Sequence, residues 1–266
     1  MLKKSRLLLL LPLSGMIFLG FWMQYTPPGL MGKAKAVGYA VCHQIPSHSF
    51  RIQGQPLALC ARCSGQYLGV LLGLLYLGVL GKRRSGRPSW LIFVFMGVTF
   101  AAYAVDGVNS FLSIYPDLDS FTLYSPRNIY RLLSGMGMGL TVGIGVYLLF
   151  SRAVWRQPAT EPVFTSPWPW AGLVGLGGIL SLGVLSGVPA ILYPLTLLSV
   201  MGLLVLLTVL YALLWIIAFG KENTYRRGKE LLWVMLGGGI TAMIQIALLD
   251  LLRFWSTGTW SGFHIG

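Results

Sequence analysis

The chain has 266 residues, 55% hydrophobic and only 10% charged, with 20 Lys and Arg against 7 Asp and Glu. That composition excludes a water-soluble globular domain and reads as an integral membrane protein whose surroundings are the lipid bilayer. The formal charge of +13 does not point to a nucleic-acid partner, because the basic residues cluster at the ends of apolar runs, where they meet anionic head groups.

Seven apolar runs are long enough to cross a hydrocarbon core of about 30 Å as helices: residues 7–24, 64–80, 90–107, 132–150, 169–186, 190–219 and 231–252. The prediction is an all-α, polytopic transmembrane helix bundle in one membrane domain, residues 1–266. The first run follows Lys3, Lys4 and Arg6 as in a signal peptide, but no small-residue cleavage site follows. Gly20 to Met23 reads as a helix end with an aromatic anchor, so a retained span is expected. The longest connection, residues 25–63, carries every cysteine of the chain and two of its three histidines. Residues 49–59 alternate around Gln53-Gly54, which predicts a short hairpin returning Cys60 to Cys42.

In the second span Gly65, Gly69 and Gly73 recur at four-residue spacing, and in the fourth Gly135, Gly139 and Gly143 do the same. Such small-residue seams allow close helix contact, so these two spans are expected to be neighbours. Trp168-Pro169-Trp170 reads as an interfacial aromatic belt with a helix start. Gly187, Val188 and Pro189 make only a brief break before a long sixth span, which is expected to tilt or kink. His264, in the tail, is read as facing solvent. With an N-in, C-out arrangement, thirteen Lys and Arg fall on the N-terminal side and seven on the other. The positive-inside rule favours that orientation and places the Cys/His segment outside the cytoplasm, in a multi-pass plasma-membrane protein.

Cys60 and Cys63 stand three apart where the second span begins, so both face one point on the first helical turn. The helix N-terminus and Arg62 are expected to favour a thiolate there. Three readings follow. Cys42, His43, Cys60 and Cys63 form the sulfur and nitrogen shell that zinc prefers, with His48 as a substitute for His43. Alternatively Cys60 and Cys63 are a redox pair and Cys42 its exchange partner, making a membrane thiol-disulfide oxidoreductase. In the third, a disulfide from Cys42 merely staples the loop of a non-enzymatic accessory subunit in a membrane complex. Covalent haem is disfavoured by Ser64 after Cys63.

Polar residues at the outer ends of spans add candidates, because intramembrane charges mark function by default. An outer pocket of Cys60, Cys63, Arg62, Asp106, Asn109, Asn128, Arg131 and Asp250 is expected. In it Asp106 would act as general base, with Arg131 beside it as the second candidate catalytic residue. The bland counterpart is a pair of interfacial ion pairs, Asp106 with Arg131 and Asp250 with Arg253 or Arg62. Besides the lipid bilayer, the expected partners are other membrane proteins or further copies of this chain.

The pattern Cys-His-Gln-x-Pro-x-x-Ser-Phe at residues 42–50, followed by Leu59-Cys60-Ala61-Arg62-Cys63-Ser64-Gly65-Gln66-Tyr67-Leu68-Gly69, resembles an uncharacterised prokaryotic membrane family, domain of unknown function 2085. Asp106-Gly107 and the stretch from Ser125 to Gly135 resemble its second motif, so the likeness spans about residues 40 to 150. The family pattern carries arginine at the position of His48, which weighs against His48 as a ligand. The resemblance implies that these residues matter and implies no activity.

Overall fold

The computed structural model describes residue 15 and residues 18–263. The predicted first span lies largely outside that range, as do Lys3, Lys4, Arg6 and His264. Eight α-helices make up the described part. Helix α1 covers residues 18–25; α2 is Gly29–Val41, α3 Ala61–Leu80, α4 Trp90–Leu112, α5 Asn128–Val154, α6 Pro167–Leu185, α7 Pro189–Ala218 and α8 Leu232–Thr257. Helices α3 to α8 are each long and apolar enough to cross a membrane, which matches the predicted second to seventh spans. The break before α7 is a single turn in which Gly187 takes φ +69°. α7 contains Pro194 and runs for 30 residues, about 45 Å of helix against about 30 Å of hydrocarbon.

α3 and α5 form the centre of the bundle. A Cβ at Gly65 would overlap the Leu132 carbonyl, and one at Gly135 or Gly139 would overlap the carbonyls of Arg62 and Gln66. Glycine therefore permits backbone-to-backbone contact along the predicted seam. α7 packs on the other side of α3, where Gly202 meets the Tyr67 carbonyl, and α8 packs on α7 through Gly238 against Thr208 and Ala212. α6 begins at Pro167, with Trp168 exposed and Trp170 edge-on to Phe95.

The segment 25–63 is more ordered than an irregular loop. It contains α2, which packs its Ala34, Val37 and Tyr39 face against α7 and α8. The predicted hairpin is present as strands β1 (Arg51–Ile52) and β2 (Gln55–Pro56), antiparallel, with Gln53 and Gly54 both at positive φ. Positive φ at both turn positions is the twist that a two-residue hairpin requires.

The connections meet at two ends of the bundle. At one end, strand β3 (Arg84–Gly86) pairs with β4 (Ala159–Pro162). There Arg83 stacks over Trp155 at 4.0 Å and donates to the Arg226 carbonyl, while Arg152 Nε donates to the Ser85 carbonyl. At the other end lie the cysteines, a 3-10 turn at Pro116–Phe121 and the segment after α8, whose Phe263 N–H donates to the His43 carbonyl.

Candidate metal centre

Cys60 is the N-cap of α3, in extended backbone, and its Sγ accepts the Cys63 N–H at 3.5 Å. N-cap and N3 positions are brought together at any helix start, so local geometry alone places these two sulfurs side by side. Cys42 follows the last residue of α2, and its Sγ accepts N–H groups from Cys60 at 3.3 Å and Gln44 at 3.4 Å. The three sulfur atoms lie within 4.8 Å of one another, with Cys42 and Cys60 buried and Cys63 partly exposed. All three stand as free thiols in this arrangement.

Long-range contacts close this arrangement. Gln44, at φ +51°, donates through Nε2 to the Lys35 carbonyl at 2.9 Å and the Ala58 carbonyl at 2.7 Å. It thereby ties the end of α2 to the residues leading into Cys60. Gly38 makes room for the same Ala58 carbonyl. From α8, Arg253 donates to the carbonyls of Tyr39 at 2.6 Å, Cys42 at 2.5 Å and His43 at 3.3 Å. Its guanidinium lies between the rings of Tyr39 and Phe263, at 4.0 and 4.4 Å from their centroids. The sequence marked Arg253 only as an ion-pair candidate for Asp250, and Gln44 only as a member of the cysteine motif; the carbonyls that each of them binds are read from the tertiary structure.

Charge is distributed differently from the sequence expectation. Hydrogen bonds from the Cys60 and Cys63 thiols, with the Cys60 N–H, hold Cys42 well below the usual thiol range despite its burial. Cys60 is pushed up to about 12, first by its hydrogen bond to Cys42. These contacts favour a thiolate at Cys42 over Cys60, while the expected helper, Arg62, points to α4. Burial lowers His43 and brings His48 down to about 4, so both are neutral imidazoles at neutral pH, the form that binds metals. His43 Nδ1 accepts the Ile45 N–H at 2.9 Å, and its ring stands edge-on to His48 at 5.5 Å. The clustered donor atoms are the three sulfurs, and His43 is not among them.

Arg62 pairs with Asp106 on α4, donating through Nη2 at 2.5 Å to Oδ2 and at 2.8 Å to the Asp106 carbonyl. Tyr124 donates to Asp106 Oδ1 at 2.9 Å and Ser134 to Oδ2 at 3.3 Å. Both carboxylate oxygens are thus engaged, and Asp106 is 2% exposed. Arg131 reaches this group through Ser110, at 3.2 Å, and holds Asn128 at 2.9 Å. The expected Asp106–Arg131 ion pair is therefore Asp106–Arg62, and the Asp250–Arg253 pair is absent among the described residues. The expected single outer pocket is also divided. A cavity of about 560 Å³ between α4 and α5 holds Asp106, Tyr124 and Ser134 without the cysteines, and Asp250 lines another.

Tetrahedral zinc with Zn–S bonds near 2.3 Å sets sulfurs roughly 3.8 Å apart. Three thiols already within 4.8 Å meet that demand with small side-chain movement, and the donor set suits a thiophilic ion. Residues 42–145 match the family model described as "Predicted membrane protein (DUF2085)". The chain is also similar to Uncharacterized protein MJ1492 of Methanocaldococcus jannaschii, 29% identical over 124 residues that make up 46% of this chain and 71% of that protein. No solved structure matches the chain. The matched region contains the three cysteines, Arg62, Asp106 and Arg131, so both the sulfur cluster and the charged cluster fall within it.

Proposed function

From a helical membrane protein whose residues 42–145 carry the DUF2085 pattern, we propose that Cys42, Cys60 and Cys63 bind one thiophilic metal ion, zinc by donor preference, with His43, which stands outside the sulfur cluster, turning in as fourth ligand. The observation that carries the reading is the convergence of three unbonded sulfurs from two separate segments. A bound zinc would supply cross-linking and Lewis acidity at this place. The protein's own part is to hold the sulfurs together through Gln44 and Arg253. We place the centre on the extracytoplasmic face of a prokaryotic plasma membrane, where the positive-inside count puts it. Asp106 and Arg131 act there as positioning residues that fix Arg62 and the start of α3.

Elemental analysis of protein purified in mild detergent without chelator tests this, beside Cys60→Ser, Cys63→Ser and His43→Ala. About one zinc per chain in the wild type, lost in both cysteine variants and weakened in His43→Ala, is the expected result. Metal-free protein that retains three titratable thiols would overturn it.

The second reading, thiol–disulfide exchange, is favoured by the unequal thiols: a stabilised Cys42 thiolate beside a Cys60 thiol pushed up to about 12. Thiolate character is what attacks a disulfide. It predicts metal-free protein that forms a mixed disulfide at Cys42 with a dithionitrobenzoate probe, lost in Cys42→Ser.

A further inference from the structure

Arg131, in the first turn of α5, is 5% exposed. Its Nε donates to Ser110 Oγ at 3.2 Å and its Nη1 to Asn128 Oδ1 at 2.9 Å, both neutral oxygens. Its Nη2 has no hydrogen-bond partner among the described residues and is not one of the sealed polar atoms. Ser110 Oγ also accepts Arg62 Nη2 at 2.9 Å, so two guanidiniums meet at one hydroxyl. The carboxylate of this cluster, Asp106, forms its ion pair with Arg62, and among the described residues no acid pairs with Arg131. The Cys42 sulfur takes its hydrogen bonds from Gln44 and Cys60. A buried cation without an opposite charge is costly, and an anion relieves both the charge and the unused N–H groups.

The free edge of the guanidinium sets the kind of anion. With Nε and one Nη1 N–H engaged, the Nη1–Nη2 end keeps parallel donors, the geometry that takes two oxygens of one oxyanion. Asn128 Nδ2 donates to the Ser47 carbonyl at 3.2 Å, which ties the 3-10 turn Pro46–His48 to the start of α5. Ser47 is exposed, while His48 and Asn128 are half-buried, so the rim beside Arg131 is polar and reaches water. Burial first, and the Arg131 charge after it, hold His48 down at about 4; the rim is neutral. A carboxylate on the fork would turn its carbon side to this polar rim. A phosphate keeps two further oxygens for it.

We propose that Arg131 binds a phosphate oxyanion, with two oxygens on its free Nη1–Nη2 edge and the others toward the rim of Ser47, His48 and Asn128. Zinc at the cysteines is not required for this binding. The phosphate arrives either on a lipid head group or as a free solute, and the chemistry of recognition is the same for both.

The full chain in neutral maltoside detergent is titrated with inorganic phosphate and, separately, with phosphatidylglycerol, at an ionic strength held constant with chloride. Chloride alone and diacylglycerol, which lacks the phosphate, are the blanks; melting temperature and calorimetric heat are the readouts. Saturable binding of at least one probe by wild type is expected, at least about tenfold weaker in Arg131→Gln. Arg127→Gln, at an exposed arginine one turn earlier, is expected to bind as wild type does. Binding of inorganic phosphate alone identifies a solute, and binding of phosphatidylglycerol alone identifies a lipid head group. Should Arg131→Gln fail to fold, Arg131→Lys, which keeps the charge and loses the fork, is expected to bind several-fold more weakly, and undiminished binding there counts against the assignment. Zinc content of the same samples separates loss of the metal from loss of the anion. Wild type that binds neither probe above its blank, folded Arg131→Gln that binds undiminished, or equal loss in Arg127→Gln would sink the proposal.

Discussion

Arg253 donates to three carbonyls around Cys42 from the opposite end of the chain. Charge-assisted bonds of this kind are worth about 1.5–3 kcal/mol each when buried, and Arg253 is partly buried, so a value near the low end applies. Arg253→Ala is expected to lower stability by about 2 kcal/mol and to weaken zinc binding by about tenfold, as loss of an orienting outer contact does. Arg253→Lys is expected to rescue little, because a point ammonium cannot bridge carbonyls as a planar fork does. Chemical denaturation and competition with a chromogenic chelator measure the two effects. Cys60 and Cys63 were legible in sequence because an i, i+3 pair at a helix start meets by local geometry. Cys42, Gln44 and Arg253 owe their positions to contacts across the whole chain, and the thiolate's place on Cys42 depends on those contacts.

At the scale of elements, the α3–α5 contact is the one that locates the site. Gly139 sits against the Gln66 carbonyl, and Gly135 against that of Arg62, one residue from Cys63. Gly139→Leu is therefore expected to separate the helices and cost about 3 kcal/mol, the upper end of overpacking penalties. Gly145→Ala, where an added Cβ meets nothing within 4 Å, is expected to change stability by less than about 0.5 kcal/mol. Thermal unfolding in detergent distinguishes them. The four-residue glycine spacing disclosed this seam, since backbone contact in lipid depends on absent side chains. The helix α2 was not disclosed: at 13 residues it is too short to register as a span, and its weakly patterned sequence is stabilised by packing on α7 and α8.

For the whole molecule, the basic connections 82–89, 152–166 and 220–230 assemble at one end, where β3 pairs with β4 and Trp155 meets Tyr225. The sulfur cluster, the charged cluster and the pocket at Asp250 assemble at the other. An impermeant maleimide is expected to label Gln53→Cys from outside intact cells and Glu222→Cys only after permeabilisation, read in a background where the native thiols are masked by metal. The reverse pattern would invert the orientation. Hydropathy, glycine spacing and the cysteine motif by themselves determined the helical membrane class, the second to seventh spans and the pairing of α3 with α5, because each depends on local pattern in a lipid solvent. Only the tertiary structure decided that Arg62 pairs with Asp106, that Arg253 serves the cysteine loop, and that Asp250 stands in a pocket of its own. Which partner a long polar side chain reaches is settled by how the helices pack, and sequence spacing does not encode that choice.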